Sequence, residues 1–404
     1  MSAGEGGQPR APSERWLAID AARGAAMAFV CLSHFATGYF ASIGHPERQD
    51  LTDRISMLAS PAFMLISGSM LGLLSATRSN EQFARVRDKL VDRGLFLMIV
   101  AHALIVVAHL PLRDGPRAWM RWGFITDTIG FCLLVGPATV RRFSARVRLL
   151  LAAAMYTASW WLVRAWHPTA LAVRFLKDTV FGPMGTSTRL YNFPLLPWLA
   201  VYLAGTALGG ELVMRRERGR SSASLVLGLG VASTIVCAAC IAACIAATAA
   251  VLPRAMIPAG DIFMQLADLA SPFQKLPPGP LYLLGYGGLA LVMMSALMWA
   301  EEHAVGLRAL RAIALVGRAS LFVFILQYYV NFVIVPVLHF PDTPWWPMYF
   351  TATLAVIYLA TAAWMRAGLN RLITVGYPFA HRRRRLPVAI GTQSAARELP
   401  SIGV

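Results

Sequence analysis

Charge is scarce in this 404-residue sequence. Asp, Glu, Lys and Arg together make up only 14% of it, where soluble domains carry about a quarter. The 20 acidic side chains are outnumbered by 37 basic ones. That supply does not cover a solvated surface, which excludes an ordinary cytosolic enzyme, and 57% apolar residues exclude a disordered chain. Cysteine is scarce as well. Cys31, Cys132, Cys237, Cys240 and Cys244 all lie inside apolar runs, which excludes a disulfide-stapled secreted domain. Cys237 and Cys240 form a CxxC, but no second pair and no neighbouring histidine accompanies it. The surrounding VCAACIAACIAATAA reads as the small-residue face of a packed helix. No cleavable leader is expected, because the first 15 residues are polar and the first apolar run carries charges. No repeat at the scale of a membrane span is visible, which counts against the inverted-repeat transporter folds.

What the sequence does have is apolar length. Mean hydropathy is +0.56. Ten runs of roughly span length stand out, at about 17–40, 55–76, 94–111, 122–140, 149–166, 192–211, 224–250, 280–300, 312–338 and 347–368. The expected fold is therefore all-α: a polytopic transmembrane helix bundle of about ten spans with both termini inside. A polar cytoplasmic tail is expected over 1–15, the transmembrane domain over 16–370 and a basic cytoplasmic tail over 371–404. With the N-terminus inside, the inner segments collect 25 of the 37 cations, or 26 with Arg23, and the outer segments 11. This asymmetry is what the positive-inside rule requires. The +17 charge is thus mostly topological, and the His381–Arg385 run suits anionic inner-leaflet lipid better than nucleic acid. The longest outer loops are 167–191 and 251–279. The second, with Asp261 and Asp268, is placed to shape an outer vestibule.

Ionisable residues inside a span are costly and point to function. The first span, RWLAIDAARGAAMAFVCLSHFATGYF, carries Asp20, Arg23 and His34. At 3.6 residues per turn all three fall in one stripe, with His34 about 16 Å along the axis from Arg23. Asp20 and Arg23 alone could be an ordinary i,i+3 pair at the inner interface. That does not explain His34, three turns deeper, where a desolvated imidazole stays neutral and can take a proton from a hydroxyl or amine. His102 and His109 share a helix face without a third ligand at helical spacing, so no metal is expected. Asp127, early in span 4, is placed either to orient a base or sugar hydroxyl or to cap its helix. Gln327 puts an amide in the middle of span 9, where it needs a partner. SPAFMLISGSMLG has small-xxx-small spacing and reads as close helix contact.

Several segments together resemble a family. RWLAIDAARGAAMAFVCLSHF, with ten residues between Arg23 and His34, is similar to the opening of the integral-membrane acyltransferases: acyltransferase family 3, the heparan-glucosaminide N-acetyltransferase-like domains and the glucan succinyltransferase group. IDAARG resembles the D-x-x-RG of the heparan-type relatives, SPAFMLISGSMLG the second span, and FPLLPWLAVYLAGTALG the heparan-type FPLIPW segment. VGRASLFVFILQYY resembles the Gly-Arg-x-Ser-Leu segment near the family's C-terminus, except that Gln327 stands where histidine is common.

The resemblance implies transfer of an acyl group, acetyl above all, from cytoplasmic acyl-CoA to a hydroxyl or amine on a carbohydrate or glycoconjugate. It implies His34 as base or acyl carrier, Arg23 at the donor's inner mouth, and Asp20 fixing Arg23. Arg78, Arg85, Arg87, Lys89 and Arg93 would form a basic inner loop for the CoA phosphates. Ser33, Ser67, Trp198 and Gln327 are candidate donors to the tetrahedral oxyanion. Expected partners are membrane lipids, the carbohydrate acceptor and a second copy of the chain. Ala- and Arg-rich usage suggests a bacterial cytoplasmic membrane. The rival readings are a transporter or flippase of a glycan or lipid intermediate, with Arg23 and His34 lining the path, and a non-catalytic partner of an export system.

Overall fold

The computed structural model of the chain describes residues 16–110, 119–183, 185–251 and 271–376. The 1–15 segment, the Asp261/Asp268 pair and the His381–Arg385 run lie outside them. Each of the ten apolar runs is helical over most of its described length, and the protein is an α-helical membrane bundle. Eight helices among the described residues are long and apolar enough to cross a membrane, and Ile125–Val140 is a shorter apolar one.

The first helix, α1 (Leu17–Ser42), is followed by a short α2 (Asp50–Ser56) and by α3 (Ala59–Thr77). The next helix starts well before its apolar run. Ser79 Oγ accepts from the Gln82 N–H at 3.3 Å and Gln82 Oε1 from the Ser79 N–H at 3.4 Å, a reciprocal cap that opens α4 (Asn80–Phe96). Arg85, Arg87, Lys89 and Arg93, expected on an inner loop, therefore stand on a helix. It continues through a π-segment, Leu97–Ala101, into α5 (His102–His109). Then come α6 (Ile125–Val140), α7 (Ala145–Ala165), α8 (Leu171–Val180), α9 (Leu195–Glu217) and α10 (Ser222–Val251).

The C-terminal part comprises α11 (Pro280–Glu302), α12 (Leu307–Arg318), α13 (Ser320–Tyr329), a π-segment Val330–Ile334, α14 (Val335–Val337) and α15 (Trp346–Arg366). The single span expected over 312–338 is thus broken at Ala319 and distorted again at the π-segment. Pro336, which has no N–H to give its helix, sits just beyond that distortion.

Small residues set which helices touch. α3 and α9 each carry a Gly-xxx-Gly pair, Gly68/Gly72 and Gly205/Gly209, and the two pairs interlock. A Cβ at Gly68 would fall on the Tyr202 carbonyl oxygen, and one at Gly209 on that of Ser69. Backbones this close gain the dispersion contacts that hold helices together in lipid. In the same way Gly317 of α12 presses on the Asp20 carbonyl of α1, and Gly24 of α1 on that of Ile313.

The two carboxylates ending α11 complete the frame. Glu301 accepts the N–H groups of Leu17 (2.9 Å) and Ala18 (2.8 Å), and Glu302 those of Ser222 (3.0 Å) and Ala223 (3.1 Å). Each satisfies donors that a helix start leaves open and places negative charge at the positive end of the dipole. The beginnings of α1 and α10 and the end of α11 therefore share one side. At the C-terminus, Thr374 Oγ1 and the Val375 N–H both donate to Asp92, so the chain remains packed on α4 past residue 370.

Candidate active site

His34 is placed by three features of α1 and its neighbours. Gly38, one turn on, lies against the Asn331 carbonyl, which brings the end of α13 and its π-segment close to α1. The rings of Tyr328 and Phe332 then flank the imidazole at 4.7 and 5.2 Å between centroids. Gln327, fully buried, makes the third contact: its Oε1 lies 2.7 Å from His34 Nδ1.

The amide orientation is fixed by chemistry. Gln327 Nε2 donates to the Phe324 carbonyl at 3.1 Å, a partner that can only accept, and Asn331 Nδ2 donates to Oε1 at 3.2 Å. His34 Nδ1 must then carry the hydrogen, and Nε2 keeps its lone pair. Gln327 holds the imidazole in the tautomer a base needs.

His34 lines a cavity of about 340 Å³ with Ser33, Asp53, Ser60, His109, Tyr328 and Lys275, among others. Ser33 Oγ donates to Asp53 Oδ1 at 3.2 Å. Lys275 comes from the described end of the 251–279 loop. Burial pushes its ammonium below the ordinary lysine range, against the opposing pull of Asp53. A cation beside a basic imidazole is suited to a developing oxyanion.

A second cavity, of about 350 Å³, lies on the Arg23 side. Arg23, Arg93 and Arg318 line it together with Ser67, Ser320 and Tyr202. Arg23 donates to Ser320 Oγ at 2.5 Å and reaches Met70 Sδ at 3.5 Å. The Tyr202 hydroxyl and Thr126 Oγ1, both buried on its wall, have no hydrogen-bond partner among the described residues. Three guanidinium groups make this cavity fit for a polyanionic donor.

Phe63 and Phe324 line both cavities. Their rings meet edge to face at 88°, with centroids 6.3 Å apart. The two chambers are thus neighbours across one aromatic pair, with guanidinium groups on one side and imidazole, carboxylate and ammonium on the other.

The structure brings His34 and Gln327 into contact and puts Arg23, Ser67 and Arg93 on one wall. Other expected residues are elsewhere. Asp20 is buried in the first turn of α1 and lines neither chamber. Arg78 ends α3, where its carbonyl accepts from Arg141, and Arg87 lies against Asp88 at the surface. Neither these two nor Arg85 nor Lys89 reaches the arginine-lined chamber. Trp198 is fully buried between Phe193 and Tyr282 and lines neither chamber. Asp127 accepts from His102 Nδ1 at 2.9 Å and from the Phe124 N–H at 2.9 Å, so it serves as a helix cap and also orients an imidazole.

Asp53, Lys275, Arg318, Asn331 and the Phe63/Phe324 pair escaped sequence reading. Lys275 carries a faint signal, as a lone cation in the Pro-rich stretch SPFQKLPPGP. The phenylalanines carry none.

Two protein families match the chain. Residues 15–232 match the family described as heparan-alpha-glucosaminide N-acetyltransferase, catalytic, and residues 129–371 match the OpgC protein family. Each covers more than half of the chain, and together they run from the start of α1 to beyond α15. No curated protein and no solved structure matches it.

Proposed function

Because the chain belongs to the membrane acyltransferases described by the heparan-alpha-glucosaminide N-acetyltransferase and OpgC families, we propose that it acylates a carbohydrate or glycoconjugate from a cytoplasmic acyl-CoA. The acyl group is acetyl and the acceptor atom a hydroxyl or amine. The membrane is the cytoplasmic membrane of a bacterium, in keeping with the Ala- and Arg-rich sequence.

One observation carries this reading: His34, its Nδ1 held by Gln327, lines a chamber that shares the Phe63/Phe324 wall with the arginine-lined chamber. The arginine-lined chamber takes the donor, with Arg23, Arg93 and Arg318 toward its phosphates. The thioester reaches His34 past the phenylalanine pair, and the acceptor enters from the other side. His34 Nε2 takes the proton of the acceptor O–H or N–H as that atom bonds to the thioester carbon. The carbonyl oxygen becomes an oxyanion, compensated by Lys275. When the carbon–sulfur bond breaks, the leaving thiolate receives the proton from His34 Nε2, and the base is regenerated. Gln327 keeps Nδ1 protonated throughout.

Replacing His34 with alanine in the full chain tests this. Acylated product should fall by about 100- to 10,000-fold, the usual contribution of a general base, while unmodified acceptor still appears outside the cell. Loss of the acceptor itself would favour transport, and purified protein that turns over no acyl-CoA with any carbohydrate would overturn the proposal.

A further inference from the structure

Only three of the chain's 37 cations are lysines: Lys89, Lys177 and Lys275. An arginine guanidinium stays charged and is no nucleophile near neutral pH, whereas a lysine that has lost its proton is a primary amine. Where the three amines stand therefore matters in a protein that handles a thioester. Lys89 is exposed on α4, and Lys177 is buried in α8 and lines neither chamber. Of the three, only Lys275 shares a chamber with His34.

The segment that carries Lys275 is pinned on both sides. The Gly279 N–H donates to the Gln274 carbonyl at 2.7 Å, and Tyr156 and Trp160 of α7 donate to the Pro278 carbonyl at 2.8 and 3.0 Å. The side chain extends from this turn over Phe193, with Nζ 5.6 Å from the ring centroid, and Phe193 also lines the chamber. The charge on Nζ acts on both His34 and Asp53, two further groups of the same wall. Yet among the described residues Nζ has no ion pair and no hydrogen bond, and the Asp53 carboxylate accepts instead from Ser33. A half-buried amine left this way gives up its proton more readily than one in water, since burial outweighs the pull of Asp53.

We propose that Lys275 is a self-acylation site, which takes the acyl group from the donor when no acceptor occupies the chamber. The inference rests on the acyltransfer reading and adds a second fate for the same thioester. The Nζ lone pair bonds to the thioester carbon, the carbon–sulfur bond breaks, and sulfur leaves with the electron pair. One Nζ proton passes by way of His34 to the thiolate, which leaves a secondary amide and a free thiol. The amide is stable, so it is a lasting mark and no intermediate on the way to product. It also removes the ammonium that compensates the oxyanion, so the marked protein no longer transfers. Donor in excess over acceptor thus shuts the site.

The test incubates purified full-length protein with acetyl-CoA bearing a deuterated acetyl group, without acceptor, and follows all three lysines by chymotryptic mass mapping. Simple chemical acetylation favours the exposed Lys89. Self-acylation instead labels Lys275 faster, by about tenfold or more, because donor and amine are held in one chamber. In His34→Ala the rate at Lys275 should fall by about 100-fold, with Lys89 unchanged, and Gln327→Leu supplies the same comparison should His34→Ala not fold. Transfer to methyl hexosides and hexosaminides, assayed on the same samples, should fall in step with labelling. Lys275→Arg, a cation without a nucleophilic amine, should keep its own initial rate after the same incubation.

Labelling of Lys275 no faster than that of Lys89, labelling at the wild-type rate in His34→Ala, or full transfer by fully labelled protein would each overturn the inference while leaving acyl transfer standing. Absence of both labelling and transfer to every sugar strikes instead at the function proposed above.

Discussion

His34 and Gln327, 293 positions apart in sequence, meet at 2.7 Å through Nδ1 and Oε1. The contact is directional. Because the other end of the amide donates to the Phe324 carbonyl, the glutamine can only accept from the histidine. A neutral side chain thus does for His34 the tautomer-fixing work that a carboxylate does beside the imidazole of a serine-protease triad.

Gln327→Leu removes that acceptor while keeping most of the volume. kcat should fall by about 10- to 100-fold, the cost of a lost buried hydrogen bond of about 1–3 kcal/mol. KM for the acceptor should stay near the wild-type value, because Gln327 lies behind the imidazole. Steady-state kinetics in detergent or nanodiscs would show this. A rise in KM at unchanged kcat would mean that Gln327 faces substrate.

Phe63→Ala should open the wall between the two chambers. Water in the His34 chamber then reaches the thioester, so acyl-CoA hydrolysis without acceptor should rise severalfold. Free thiol release is the readout. Unchanged hydrolysis with unchanged transfer would mean that the donor does not pass this pair.

Lys275 gives a pH dependence of known sign. Burial lowers its pKa in the folded protein below the ordinary 10.5. The protonated form therefore costs folding free energy at pH values below the folded pKa, and this cost disappears as pH rises toward 10.5. Lys275→Gln removes the cost, so its thermal stability relative to wild type should decline as pH rises through the lowered pKa toward 10.5. Thermal unfolding at several pH values would detect the trend, and a difference growing with pH would contradict the burial of Lys275.

Adjacent glycines of α9 provide a packing test with its own control. Gly209→Ala would put a methyl group on the Ser69 carbonyl, whereas Gly210 has open space around its Cβ position. The first change should destabilise by about 1–3 kcal/mol, as overpacking does, and the second by no more than about 0.5 kcal/mol. Equal effects in thermal unfolding would show that α3 and α9 do not interlock this closely.

Much of the fold is legible in the sequence because lipid makes local composition decisive. A stretch such as 195–217 must satisfy its own backbone hydrogen bonds wherever it crosses, so apolar length alone announces a helix. The stripe holding Arg23 and His34 is legible for the same reason, since helical periodicity is local. Local signals can still be outweighed by distant ones. The apolar run at 94–111 suggests a helix beginning there, yet the cap made by Ser79 and Gln82 starts it at Asn80. The run at 312–338 suggests one span, yet it is broken at Ala319, just past the contact of Gly317 with Asp20, and distorted ahead of Pro336.

By itself, the sequence determined that the chain is a helical membrane protein, which of its runs are helical, and that α1 carries a cation and an imidazole on one face. Each of these follows from the energy of placing individual residues in hydrocarbon and from the geometry of a single helix. Only the tertiary structure decided that Gln327 orients His34, that Lys275 and Asp53 share its chamber, and that Phe63 and Phe324 divide that chamber from the arginines. Most of those relationships join segments hundreds of residues apart, and they depend on which helix backbones can come close, a property of pairs of helices that no single segment encodes.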